Sequence, residues 1–266
     1  MDGVPPVPGG GGPGESPVAG FPRNRFRAVF FDAGQTLLDA EPAVESVYRE
    51  AFATHGLDRT AAEVHAAVLE TWRDVAVRRA RGEERWAIAG GELVFWQAFV
   101  GEVYVRLGGD GALPPQVLPL LVRHFREAGN WRLYPEVPGV LARLREAGLK
   151  LLVVSNWDSS LPRLLDDMGL TPAFDGILVS AVFGASKPSR AIFDEAVRLA
   201  GVVHAEALHV GDSVHDDYEG ARAAGLSALL IDRHGRAPRG VEAVSSLEEV
   251  VARVLPSRPP SDAPSR

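Results

Sequence analysis

One short apolar run constrains this chain more than any other feature. Ala28-Val29-Phe30-Phe31 ends on Asp32 and opens into Ala33-Gly34-Gln35-Thr36-Leu37-Leu38. Consecutive apolar residues of this kind read as a strand buried on both faces. A carboxylate closing such a strand is a candidate nucleophile. The next ninety or so residues do not read as strands. Helical periodicity covers Pro42–His55, Thr60–Arg81, Gly90–Leu107 and Pro114–Ala128, with almost no strand signal. Thr60 can cap its helix, Pro42 and Pro114 suit first-turn positions, and Gly56, Gly82, Gly108 and Gly129 punctuate the ends.

From Pro135 onward the pattern alternates. Strands are expected at Lys150–Ser155, Gly176–Ser180, Ala207–Val210 and Ser227–Ile231, with helices at Val137–Ala147, Ser159–Met168, Ser189–Ala200 and Tyr218–Ala224. This predicts an α/β fold: a doubly wound, Rossmann-like parallel sheet with a four-helix cap inserted after its first strand. The expected core is 23–38 plus 133–254, and the cap 39–132. Residues 1–22 and 255–266, dominated by Gly, Pro and Ser, are expected to be disordered tails. In such sheets ligands bind outside the carboxyl ends of the strands. Asp32, Ser155 and Asp212 all fall at such ends, beneath the cap.

Composition removes several classes of function. A formal charge of −7 and a pI near 5.5 leave no basic footprint for nucleic acid. No apolar stretch is long enough to span a bilayer, so no membrane partner is expected. The absence of cysteine excludes disulfides, thiolate metal sites and cysteine nucleophiles, and fits a cytoplasmic location. Lys150 and Lys187 are the only lysines, so chemistry that needs a primary amine has few places to reside.

The residues also resemble the haloacid dehalogenase-like superfamily, whose four motifs occur here in order. The first corresponds to Asp32–Thr36, the second to Ser155 after Leu151-Leu152-Val153-Val154, and the third to Lys187 in Ser186-Lys187-Pro188. The fourth corresponds to Gly211-Asp212-Ser213-Val214-His215-Asp216-Asp217. The resemblance implies a phosphatase acting on a small phosphorylated molecule through an aspartyl-phosphate on Asp32. It implies Mg²⁺ held by Asp32, Asp212 and the Gly34 carbonyl, with Asp217 ordering a metal-bound water. Ser155 and backbone amides near Ala33 and Asn156 would hold phosphate oxygens, and Lys187 would neutralise charge between phosphate and Asp32.

Simpler readings stand beside these. Ser155 alone is an ordinary strand-end residue, and Lys187 before a proline an exposed loop lysine. Asp212 and Asp217 could cap the following helix. Asp216, where relatives usually carry asparagine, reads as a capping substitute, and His215 as a solvated loop histidine. In the cap, Trp96 reads as core and the arginines between Arg78 and Arg85 as a solvated face. Arg85-Trp86 is the preferred substrate-facing element.

Gly34 departs from the family pattern. Phosphatases of the superfamily carry there a second aspartate that protonates the leaving oxygen, a step that contributes about two to four orders of magnitude in rate. Dehalogenases dispense with it but lack the acidic motif kept here. Phosphonoacetaldehyde hydrolases use a cap lysine, and residues 39–132 contain none. Cation-pumping ATPases need membrane spans. Ser155-Asn156-Trp157-Asp158-Ser159-Ser160-Leu161 resembles the second motif of the phosphatase-like branch related to the rhythmically expressed gene products, where the second acid is often replaced. A binding protein that has lost turnover, and less favourably a 2-haloacid dehalogenase, remain the alternatives.

Overall fold

The first apolar run pairs on both sides. In the computed structural model, which describes residues 25–83 and 91–255, β1 (Ala28–Phe31) lies at the centre of a six-stranded sheet. It runs parallel to β4 (Lys150–Ser155) on one side and β6 (Ala207–Gly211) on the other. β5 (Gly176–Val179) extends the sheet beyond β4, and β7 (Ser227–Ile231) and β8 (Ala243–Val244) extend it beyond β6, all in parallel. Alternate side chains feed two cores, as a sheet covered on both faces requires. Val29 and Phe31 pack with α5 (Val137–Glu146), α6 (Leu161–Asp167) and α10 (Leu247–Val254). Ala28 and Phe30 pack with α8 (Arg190–Ala200) and α9 (Gly220–Ala224). Each fully buried Leu or Phe contributes about 1.5–3 kcal/mol, enough to fix the strand ends firmly.

Between β1 and β4 the chain leaves the sheet. β2 (Leu38–Ala40) pairs antiparallel with β3 (Trp131–Leu133), Leu38 opposite Leu133, so the intervening segment departs and returns at one point. That segment carries α1 (Val44–Ala53), α2 (Ala61–Ala80), α3 (Gly91–Arg106) and α4 (Val117–Arg126). Its core is separate, built on residues such as Phe52, Val64, Phe99, Val103 and Leu121. Thr60 caps α2 as expected: its hydroxyl accepts the Glu63 amide at 3.3 Å, while Glu63 accepts the Thr60 amide at 2.8 Å.

Three expectations need correction. Pro42 and Pro114 precede α1 and α4 rather than sitting in their first turns, with Pro114 accepting the Val117 amide in the lead-in turn at 3.1 Å. Boundaries of this kind are set by capping geometry more than by periodicity. The helix expected from Tyr218 begins earlier, as a π-helical turn over Val214–Glu219 that runs into α9. The ribbon β2–β3, β8, α10 and the short α7 (Ser180–Phe183) were not foreseen. The expected tails at 1–22 and 255–266, Leu255 excepted, together with Arg85 and Trp86, lie outside the described residues.

Candidate active site

The carboxyl ends of β1, β4 and β6 adjoin because those strands are neighbours. Asp32 follows β1 and is 8% exposed, with Oδ1 accepting the Ser155 hydroxyl at 3.0 Å and the Lys187 ammonium at 2.6 Å. Ser155 ends β4; Lys187 comes from the loop before α8. The same ammonium meets Asp217 Oδ1 at 2.5 Å. Carboxylate oxygens of Asp32, Asp212 and Asp217 lie within 4.8 Å of one another, contributed from just beyond β1 and from the segment after β6. Gly211 makes this approach possible, since a Cβ there would sit 2.2 Å from Asp217 Cγ.

The charges do not balance. Three clustered carboxylates face one ammonium, which leaves an excess of negative charge, with Asp32 and Asp217 buried. Burial raises the Asp32 pKa, with Lys187 opposing and Asp217 adding to the rise. Asp212 is pushed well above the carboxylate range by burial and by Asp32 and Asp217. Asp217 behaves oppositely. Burial works against its charge, but Lys187 and His209 hold it ionised and below its ordinary value. Burial likewise opposes the Lys187 ammonium, yet Asp217 and Asp32 outweigh it and raise its pKa. An all-oxygen donor set with unneutralised charge fits a hard divalent cation. Asp217 fits as a direct ligand less well than Asp32 and Asp212: its Oδ1 receives Lys187 and lies 2.8 Å from His209 Nε2, and its Oδ2 accepts the Ser213 amide at 3.0 Å.

Other predicted residues take more specific places. The Asn156 side chain clasps the Lys187 backbone, accepting its amide at 2.8 Å and donating to its carbonyl at 3.0 Å, and so orients the lysine loop. Of the residues predicted to carry the nucleophile, phosphate and metal roles, Ala33 alone does not line the cavity above Asp32. Its side chain is packed in the core, and its carbonyl accepts the amides of Leu37 and Leu38. Asp216 is not a cap. Ser213 caps the π-turn, while the Asp216 carboxylate receives Asn156 at 3.1 Å and Arg79 at 3.2 Å. His215 is exposed, in keeping with a loop histidine.

Arg79 corrects the reading of the α2 arginines as a solvated face. From the end of α2 it also donates to the Lys187 carbonyl at 3.0 Å, and its side chain is only 16% exposed. Arg78 instead pairs bidentately with Glu102 at 2.8 and 3.0 Å. Trp96 packs on Phe99 as a core residue would, yet its indole nitrogen reaches across to Asp158 at 3.1 Å. His209 was missed altogether. It is fully buried in β6, facing Asp217, and a histidine inside the apolar run Ala207-Leu208-His209-Val210 is the signal that could have found it.

A family model for haloacid dehalogenase-like hydrolases matches residues 26–225, most of the chain. The chain belongs to this family. The bovine haloacid dehalogenase-like hydrolase domain-containing protein 3 is 30% identical over 79% of this chain and 83% of its own length. A phosphoserine phosphatase of Thermus thermophilus is 33% identical over 69% and 70%. Among solved structures, the L-2-haloacid dehalogenase of Xanthobacter autotrophicus superposes with a TM-score of 0.64 at 21% identity, over 86% of this chain and 98% of the other, a likeness of fold.

A cavity of about 370 Å³ opens above Asp32, between the sheet edge and the inserted helices. Asp32, Ser155, Lys187 and Asp212 form its polar end. The far walls are apolar. No helix among the described residues is long and apolar enough to cross a membrane.

Proposed function

We propose that this haloacid dehalogenase-like hydrolase is a cytoplasmic, Mg²⁺-dependent phosphomonoesterase acting on a small phosphorylated molecule, with 39–132 as the cap that covers its site. The observation that carries the reading is the Asp32 carboxylate held by Ser155 and Lys187 beside two further carboxylates at the edge of one sheet. The phosphatase relative supports the same class of reaction.

Asp32 attacks phosphorus and becomes the aspartyl-phosphate. Lys187 neutralises charge on the transferred group, and Ser155 with the backbone amides near Ala33 and Asn156 holds its oxygens. Asp32, Asp212 and the Gly34 carbonyl would hold Mg²⁺, while Asp217 anchors Lys187 and would order water near a bound cation. When bound, the cation supplies charge stabilisation and in-line alignment. The test is phosphate release from acetyl phosphate. Chelator should abolish it and Mg²⁺ restore it, and Asp32→Asn should be inert. Activity indifferent to both treatments would sink the proposal.

Gly34 favours a second reading, a phospho-ligand binder without turnover. Tight Mg²⁺-dependent binding of phosphoesters by calorimetry, with Asp32 never phosphorylated, would support it. Chelator-insensitive chloride release from a 2-haloacid would instead indicate a dehalogenase, a reading that the retained acidic trio disfavours.

A further inference from the structure

Away from the polar end, the cavity is walled by aromatic rings contributed by both the core and the inserted helices. Trp131 of β3 and Trp157 of the core lie with ring centroids 5.0 Å apart, and Trp72, Trp96, Phe125 and Tyr48 line the same cavity from the helices. Apart from Lys187, the cation lining the cavity is Arg126, and it is exposed. A second phosphate would find no buried cation to meet it among the described residues. An apolar, ring-sized body would bury surface against these rings.

The space beside Gly34 adds an independent constraint. A Cβ built on Gly34 would lie 3.3 Å from Trp157 Cζ3, so an indole faces the space that an acidic side chain would enter. Within the described lining, Asp32, Asp212 and Asp217 are taken by the proposed nucleophile and cation-holding roles. That lining contains no histidine and no glutamate. Asp39 accepts the Tyr134 hydroxyl at 3.3 Å, Asp158 accepts Trp96, and Asp216 accepts Arg79 and Asn156, so each is employed as an acceptor. The Tyr48 phenol is pushed up by burial and retains its proton.

Resting on the phosphatase reading, we propose that the substrate is an aryl phosphate: a phosphomonoester with an apolar ring and a leaving oxygen that is stable as an anion. An Asp32 oxygen forms the bond to phosphorus while the bond from phosphorus to the aryl oxygen breaks. The electron pair departs on the phenolate, which takes its proton from bulk water rather than from the protein. Water then attacks phosphorus, the bond to Asp32 breaks, its carboxylate is regenerated, and both protons of the water remain with the released phosphate.

The test compares naphthyl phosphate, glycerol phosphate and acetyl phosphate on the wild-type protein with Mg²⁺. We expect kcat/KM for naphthyl phosphate to exceed that for glycerol phosphate by about 10²–10⁴, the factor that a general acid would otherwise supply. Trp72→Ala and Phe125→Ala should each lower the naphthyl-to-acetyl selectivity by about tenfold. Glycerol phosphate hydrolysed as fast as naphthyl phosphate would overturn the inference and leave the phosphatase reading standing, as would wild-type KM values equal for naphthyl and acetyl phosphate. No release from any of the three, acetyl phosphate included, would overturn both.

Discussion

The two ends of the cavity are built by opposite physics. At the sheet edge, Asp32, Lys187 and Asp217 are buried and joined by contacts of 2.5–2.6 Å, so each position is dictated by the others. At the far end, Trp72, Trp96 and Phe125 are only partly covered and are held by ring packing, such as Trp72 against Phe99 at 4.5 Å. A buried ion pair is costly to break from one side, whereas an aromatic wall tolerates truncation and relaxes. The polar end is therefore tightly specified, and the aromatic end can be altered without dismantling it.

Substitutions should separate the two ends, and the largest effect is expected at Asp32, the proposed nucleophile. Asp32→Asn is expected to lower turnover by roughly 10⁴ or more, read as the loss of both phosphate release and acid-stable phosphoprotein. Lys187→Ala leaves Asp32 and Asp217 buried without their cation. It should destabilise the fold by about 3–5 kcal/mol in urea titration, a cost that saturating Mg²⁺ should partly offset, since a cation bound at about a hundred times its Kd adds roughly 2.7 kcal/mol.

The next test crosses the boundary between the ends. Gly34→Asp alone should gain little, because its Cβ meets Trp157. Combined with Trp157→Ala, it should raise kcat/KM on glycerol phosphate by about 10², a gain absent from naphthyl phosphate. The smallest effect is expected at the tether between the helices and the sheet edge. Arg79→Ala removes hydrogen bonds to the Lys187 carbonyl and to Asp216 and should cost about 1.5 kcal/mol of stability. It should raise KM for naphthyl and acetyl phosphate alike, whereas Trp72→Ala changes their ratio.

Much of the fold was legible because its signals are local. Lys150–Ser155 and Ser227–Ile231 form strands with the expected bounds, since an apolar run between turn residues states its own conformation. The ribbon β2–β3 carried no such signal: three residues pair with three others far along the chain, and neither segment alternates long enough to declare itself. The site divides in the same way. Asp32, Ser155 and Asp212 could be placed at strand ends from pattern alone, but Arg79 read as solvated because its partners lie far away in sequence.

The sequence alone therefore determined the order of elements and the residue types carried to the sheet's carboxyl edge, because hydrophobic period and strand termination are properties of neighbours along the chain. Only the tertiary structure decided that His209 faces Asp217, that Asn156 clasps the lysine loop, and that Trp157 stands over Gly34. Each of these depends on which distant segments share one packed interior, and that arises from how the sheet and the helices bury their apolar faces together.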